Sequence, residues 1–193
     1  LGDYVDSFHE PIEAQVATVE LLGELFDGLL QQRRLVAAHW VDGWLCTHAG
    51  FAEGGNGLTP QGCCRANSSA LADCINRHFY ACLEHEQSSP LFNIPVARGG
   101  DAPYGGIFWL DPFREKVRLD PSVRQIFGHT EQPRPVVTER WICLDTTNSD
   151  DIWIYDTETA GLVNLMNEQE LKQKQAQRHR AKLAQQAAFN GGV

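Results

Sequence analysis

Three short segments of the chain carry carboxylate or imidazole side chains that could bind a metal ion. Gly2-Asp3-Tyr4-Val5-Asp6 places two carboxylates on one tight loop. Thr47-His48-Ala49-Gly50 and Gly128-His129-Thr130 each place a histidine at the end of an apolar, strand-like run. Mixed oxygen and nitrogen ligands of this kind suit a divalent metal ion. The pattern predicts that Asp3, His48 and His129 form a metal site at the mouth of a sheet.

Hydrolysis of a phosphoric ester is a reaction that such a site could support. Two metal ions about 3.5–4 Å apart can polarise a phosphoryl group and activate a water molecule. Arginine side chains can then bind the phosphoryl oxygens in bidentate fashion. Arg98, between Ala97 and two glycines, and Arg114, shortly after Phe108-Trp109, are the candidates for this role. The alternative for each of them is an ordinary surface arginine in a loop.

The three motifs, in this order, resemble those of the calcineurin-like metallophosphoesterases, and most closely their phosphoprotein-phosphatase branch. The segments Gly105–Trp109 and Gln125–Thr130 add to the resemblance, which extends from residue 1 to about residue 160. The resemblance implies an α/β (α+β) fold, a two-sheet sandwich flanked by helices, with the metal ions at the strand ends.

The same resemblance implies a role for each motif residue. Asp3 would be the carboxylate that bridges two metal ions, and His48 and His129 would bind one of the two. Asp6 would orient a general-acid histidine. Manganese, iron and zinc all suit this mixture of ligands.

The chain also departs from the family pattern. It contains neither the Gly-Asp-x-His motif nor the Gly-Asn-His-Asp/Glu motif, and it has no Asn-His dipeptide at all. We therefore expect an incomplete domain. One metal site would retain Asp3, His48 and His129, whereas the other would retain only Asp3. The expectation is at most one well-held divalent metal ion and poor two-metal hydrolysis.

The predicted function is hydrolysis of a phosphomonoester by a metal-activated water, with a phosphorylated small molecule or a phosphoprotein as substrate. Three alternatives stay open at this stage. The chain could hydrolyse dinucleoside polyphosphates, since related branches share these motifs. It could be a catalytically impaired or truncated binding module. The Asp and His positions could also be coincidental.

Composition narrows the classes of partner. The chain has 193 residues, of which 42% are hydrophobic and 21% charged, as in ordinary globular proteins. A net charge of −9 argues against general binding to nucleic acid or to anionic membranes. No run approaches 18 consecutive apolar residues, so we expect no transmembrane helix. The expected location is cytoplasmic. The six cysteines form no Cys-x-x-Cys pair, which favours buried free thiols in a reducing compartment.

Hydrophobic periodicity and turn signals predict the helices and strands that must position the candidate site residues. It predicts a helix over Glu13 to Leu30 and a second helix whose stripe runs from Leu71 to Leu83, with His78 as a core histidine. Asp42-Gly43 predicts a hairpin within Trp40–Thr47. Three further strands are predicted over Val123–Phe127, Trp141–Leu144 and Ile152–Tyr155. Residues 1–165 would form the partial metallophosphoesterase-like domain, and residues 166–193 a polar helix and tail.

Overall fold

The computed structural model describes residues 25–55, 68–146 and 151–165, together with Gly23 and Arg180. The chain divides into two compact units. The first comprises residues 1–130 and 137–143, and the second comprises residues 131–136 and 144–193. The predicted boundary at residue 165 stays a prediction, because residues 166–179 lie outside the described part. None of the described helices is both long and apolar enough to cross a membrane.

A β-hairpin begins the main sheet of the first unit. Strand β1 (Ala38–Val41) pairs antiparallel with β2 (Trp44–Thr47). The turn residues Asp42 and Gly43 have φ values of +46° and +82°. Positive φ at both central positions is the requirement of the two-residue type I′ turn, and the sequence Asp-Gly is one that meets it readily. The hairpin predicted from Asp42-Gly43 is therefore confirmed.

The rest of the main sheet continues from β2. Strands β3 (Arg124–Phe127), β4 (Val136–Val137) and β5 (Trp141–Cys143) complete an order of β1-β2-β3-β5-β4. The pairs β2–β3 and β3–β5 are parallel. Neighbouring parallel strands have their carboxyl ends at the same edge of the sheet. The segments that follow β2 and β3 therefore lie close together at that edge.

Two helices of the described part of the chain belong to the same unit. Residues 25–31 are helical (α1), which agrees with the end of the helix predicted over 13–30, whereas the earlier part of that prediction lies outside the described residues. Helix α2 spans Ser69–Glu84. Its predicted apolar stripe is buried at Leu71, Cys74, Ile75, Phe79 and Cys82, but Leu83 is 41% exposed. The stripe packs on a core that contains Leu45, Phe51, Leu91, Ile107 and Val123.

His78 on α2 is half-buried, and its Nε2 lies 2.8 Å from the hydroxyl oxygen of Ser89. Cys82, one turn further along the helix, has its sulfur 3.5 Å from the same nitrogen. The Ser89 hydroxyl also accepts a hydrogen bond from the backbone N–H of Leu91 and so begins a 3₁₀ turn, Pro90–Phe92. His78 is thus hydrogen-bonded, as predicted, but it is half-buried and lies outside the core cluster.

Asn76 joins α2 to the first strand. Its Oδ1 accepts from the backbone N–H groups of Ala37 and Ala38, at 2.9 and 3.0 Å, and its Nδ2 donates to the carbonyl of Ala38 at 2.8 Å. One side chain therefore satisfies three backbone groups at the start of β1, where unpaired polar groups would be costly.

Replacing Asn76 with alanine is expected to lower the free energy of unfolding by about 2–3 kcal/mol, because three hydrogen bonds of about 1 kcal/mol each are lost. Urea unfolding followed by circular dichroism measures the change. Arg77→Ala, at the exposed neighbouring position on the same helix, is the control and should change stability by less than about 0.5 kcal/mol. Equal effects of the two substitutions would contradict this account of Asn76.

The cysteines match the prediction of free thiols only in part. Cys46, Cys82 and Cys143 are free, and the last two are buried. Cys74 is disulfide-bonded, so the prediction is wrong at this position. A disulfide requires two Cα atoms within roughly 7 Å of each other. The absence of a Cys-x-x-Cys pair says nothing about such a contact.

The second unit contains a separate two-stranded sheet. Strands β6 (Trp153–Asp156) and β7 (Gly161–Asn164) pair antiparallel across a tight connection. The prediction of a strand over Ile152–Tyr155 is confirmed to within one residue, whereas β7 was not predicted. With two helices and two sheets among the described residues, the structure is of the mixed α+β class.

Candidate functional site

The two predicted histidines lie at the same edge of the main sheet. His48 directly follows β2, and His129 follows β3 after Gly128. The two strands are paired in parallel through Cys46 and Ile126. Beyond the strand ends, the Gly128 N–H donates to the carbonyl of His48 at 2.8 Å, which extends the pairing into the two loops. The parallel pairing therefore brings together residues that are far apart in sequence.

The imidazole rings of the two histidines touch. Nε2 of His48 lies 3.0 Å from Nδ1 of His129, and the ring centroids are 4.9 Å apart at an interplanar angle of 60°. His129 is 7% exposed, and His48 is half-buried. A hydrogen bond across this distance needs a ring nitrogen on one side that accepts while the other donates.

The separation of the two nitrogens also suits metal binding. Histidine nitrogens bind zinc at about 2.0–2.1 Å. Two ligand atoms at right angles around such an ion are about 3.0 Å apart, and in tetrahedral geometry the distance is about 3.4 Å. The distance between the two nitrogens of His48 and His129 is therefore compatible with their binding the same divalent ion, once both rings turn their lone pairs toward it.

The backbone of His129 adopts an uncommon conformation. Its φ is +65°, in the left-handed region that non-glycine residues seldom adopt. Such conformations are retained where the surrounding structure imposes them, and they are concentrated at functional sites. The Trp109 ring contacts the imidazole edge-on, with centroids 5.6 Å apart. The packing thus holds the ring against His48 in spite of the backbone strain.

The contacts on either side of His48 explain why the sequence there is Thr47-His48-Ala49-Gly50. The Thr47 hydroxyl accepts a hydrogen bond from the Gly50 N–H at 3.0 Å, and the Ala49 N–H donates to the carbonyl of Ile107 at 2.9 Å. Gly50 has a φ of +107°, and a Cβ added there would lie 2.9 Å from a methyl carbon of Leu119. Position 50 therefore requires glycine, and the loop that carries His48 is fixed at both ends.

The two candidate phosphate-binding arginines lie beside one carboxylate. Asp111 is 1% exposed, and its Oδ2 is 3.6 Å from a terminal nitrogen of Arg98 and 3.7 Å from Nε of Arg114. Its Oδ1 accepts from the backbone N–H groups of Phe113 and Arg114. The structure thus brings Arg98 and Arg114 together around a buried anion, and their predicted role toward phosphate stays a prediction.

Asp111 was missed by the sequence reasoning. A signal for it exists, because Asp111 interrupts the apolar run Ile107–Leu110 and directly precedes Pro112. A buried carboxylate is costly unless it is paired or hydrogen-bonded. An aspartate at the end of such a run therefore predicts cationic partners nearby, and two arginines meet that requirement.

The remaining predicted site residues, Asp3 and Asp6, lie outside the described residues. Within residues 25–55, 68–146 and 151–165, no three His, Cys, Asp or Glu side chains are grouped so that they could hold a metal ion. Of the three predicted metal ligands, the structure therefore describes only His48 and His129. The role of Asp3 as the third ligand stays a prediction.

A cleft of about 350 Å³ opens beside the histidine pair. Its lining combines two histidines, His48 and the exposed His39, with small or apolar neighbours, namely Val36, Ala37, Ala38, Cys46, Thr47, Phe108 and Gly128. Burial raises the pKa of the Cys46 thiol. The thiol therefore stays neutral at pH 7 and adds no negative charge beside His48. The cleft is large enough for part of a small substrate.

Comparison with known proteins leaves the family open. No protein-family profile matches the chain, and searches of curated proteins and of solved structures also return no match.

Proposed function

We propose that this chain belongs to a metal-dependent phosphoric ester hydrolase of the calcineurin-like type, acting on phosphomonoesters such as phosphoserine or phosphothreonine in proteins. The observation that supports the proposal most is the His48–His129 pair at the carboxyl ends of two parallel strands. A two-sheet sandwich flanked by helices is part of the same proposal.

Each residue has a specific task in this proposal. His48 and His129 hold one divalent metal ion, manganese, iron or zinc, with Asp3 as the third ligand. A bound ion of this kind supplies Lewis acidity toward a phosphoryl group and lowers the pKa of water. Asp6 orients the group that protonates the leaving oxygen.

Arg98 and Arg114 bind the phosphoryl oxygens. A guanidinium has five N–H donors, so an ion pair with Asp111 leaves several of them for a substrate. Side-chain exposure is 29% for Arg98 and 72% for Arg114, so both remain accessible while Asp111 limits their freedom. Fixed donors bind phosphate better than mobile ones, because less conformational entropy is lost on binding.

A second candidate function is binding without turnover. Two imidazoles already in hydrogen-bond contact supply ligands for one metal ion, and the second metal of the family would have only Asp3 from this sequence. The chain would then hold one metal ion, or a phosphorylated partner, without hydrolysing it.

Metal stoichiometry and turnover distinguish the two candidates. We expect one equivalent of Zn²⁺ or Mn²⁺ to bind the purified full chain in calorimetric titration. Hydrolysis of p-nitrophenyl phosphate and of a phosphopeptide should be slow, should cease with a chelator and should return with Mn²⁺. Diadenosine tetraphosphate is the comparison substrate for the dinucleoside polyphosphate alternative.

Each outcome of this experiment decides between specific alternatives. One bound ion without turnover on any of the three substrates would favour the binding module. Two tightly bound ions with turnover would overturn the expectation of a single site. No metal binding would overturn the proposal.

A further inference from the structure

A second cleft lies at the opposite end of the main sheet from the histidine pair. It measures about 390 Å³, and its lining includes Arg118, Gln125, Arg140 and Trp141. Gln125 and Trp141 are at the beginning of β3 and β5, whereas His129 follows the end of β3. Neither His48 nor His129 lines this cleft, and Gln125 precedes His129 by four residues, which is a distance of at most about 13 Å. A molecule in this cleft would therefore not touch the histidines.

The walls of the cleft are fixed by hydrogen bonds. Glu53 N–H donates to the carbonyl of Arg118, and Asp120 N–H donates to that of Phe51, at 2.8 and 2.9 Å. Gln125, which is 1% exposed, accepts from Phe51 N–H and donates to the carbonyls of Phe51 and Asp120. The loop on one side of the cleft is therefore tied both to β3 and to the segment after His48. The cleft is preformed, as small-molecule sites usually are.

The cleft combines apolar walls with two cations. Pro112, Val117, Leu119, Pro121 and the half-buried Trp141 supply the apolar surface. Both Arg118 and Arg140 are exposed, and within the described residues neither guanidinium has an ion-pair partner. Apolar walls with a few convergent polar groups are typical of ligand sites.

Two carboxylates also line the cleft, but they are not equivalent to the arginines. Asp120 is engaged in its own turn, where Oδ1 accepts from the N–H and the hydroxyl of Ser122 at 2.8 and 2.5 Å. Glu53 is exposed at the edge. Hydrogen bonds to a carboxylate disperse its charge, whereas the two guanidiniums keep all their donors for an incoming anion.

We propose that this cleft binds a small amphipathic anion, an aromatic or aliphatic carboxylate whose apolar part lies against Trp141 and Leu119 and whose charged group lies between Arg118 and Arg140. The site is independent of the metal site and of the function proposed for it. A ligand here would link the turn that follows Phe51 to β5, two segments that are far apart in sequence.

Three probes with the same aryl group test the proposal by ¹⁹F NMR titration of the full chain. They are 4-(trifluoromethyl)phenylacetate, its neutral amide and 4-(trifluoromethyl)benzylammonium. The carboxylate should bind with a dissociation constant in the millimolar range or below, and about tenfold more tightly than the amide, because charge-assisted hydrogen bonds are lost in the amide. The cation should bind more weakly than either.

Matched variants show where the carboxylate binds. Arg118→Gln with Arg140→Gln should weaken carboxylate binding about tenfold and leave amide binding unchanged, which also shows that the double variant is folded. Arg77→Gln, on the exposed side of α2, should bind all three probes as the unmodified chain does. The proposal is overturned by equal binding of acid and amide, by preferred binding of the cation, or by an unchanged affinity in the double variant. Absence of saturable carboxylate binding at roughly 10 mM would overturn it as well.

Discussion

Replacing His129 with alanine is expected to weaken Zn²⁺ or Co²⁺ binding at least about a hundredfold, which corresponds to roughly 3 kcal/mol. The His129 ring is buried and its Nδ1 lies 3.0 Å from Nε2 of His48, so its removal takes away one of the two adjacent nitrogens proposed as ligands. Calorimetric titration of the metal-free chain measures the affinity. The visible spectrum of the Co²⁺ form gives an independent reading of the number of nitrogen ligands. His48→Ala should have an effect of similar size.

His85→Ala is the control for both histidine substitutions. His85 is exposed at the end of α2 and lies outside the histidine pair. Its removal should leave metal affinity unchanged to within about twofold. If His129→Ala binds the metal as tightly as the unmodified chain, the assignment of the site fails. If His85→Ala weakens binding as much as His129→Ala, the metal ion is bound elsewhere.

Replacing Gly106 with alanine is expected to destabilise the fold by about 3 kcal/mol or more. A Cβ at this position would lie 2.1 Å from the carbonyl oxygen of Leu91 and 2.5 Å from that of Pro90. These are backbone atoms, so a rotamer change cannot relieve the overlap. Two segments must move apart, which breaks the hydrogen bonds from Gly106 N–H to Asn93 and from Ile107 N–H to Leu91.

The effect should extend to the histidine pair. The carbonyl of Ile107 accepts the N–H of Ala49, the residue after His48, so a shift at position 106 displaces the loop that carries His48. We expect the midpoint of thermal unfolding to fall by roughly 6–12 °C and metal affinity to fall with it. Thermal unfolding of the metal-free and the metal-bound chain measures both effects.

Gly28→Ala is the matched control, because it is the same substitution in a different environment. Gly28 lies in the helical segment 25–31, and among the described residues no atom outside that helix's own backbone lies within 4 Å of an added Cβ. Alanine is the better helix former, so stability should rise by about 0.5–1 kcal/mol. A loss of stability at position 28, or none at position 106, would contradict this interpretation of the two glycines.

The β1–β2 hairpin and helix α2 were predictable because local signals specify them, whereas strand β4 and the order of the strands were not predicted. Asp42-Gly43 sets the type I′ turn, and the stripe at Leu71, Ile75 and Phe79 sets the buried face of α2. The positions of His48 and His129 followed from the strands that precede them. The contact between the two histidines could not be predicted, because it depends on β2 and β3 being parallel neighbours. Neither short segment contains a sequence signal for that pairing.

Features that depend on contacts distant in sequence were not predictable in the same way. Asp111 is important because two arginines approach it, one of them 13 residues earlier in the chain. The disulfide of Cys74 depends on a partner brought close by folding. Strand β7 follows a tight turn, and its four residues alone, Gly-Leu-Val-Asn, are too few to show the alternation that marks a strand.

The parallel pairing of β2 with β3 also has a consequence for the kinetics of folding. His48 and His129 are 81 residues apart, and the loop between them must close before their rings can meet. Closure of a long loop is entropically costly, and contacts of high sequence separation slow folding. The hairpin β1–β2 and helix α2 consist of local contacts and can form early. The histidine pair is therefore expected among the last contacts to form. If the pair binds a metal ion as proposed, metal binding during refolding would appear only when the pairing of β2 with β3 is complete.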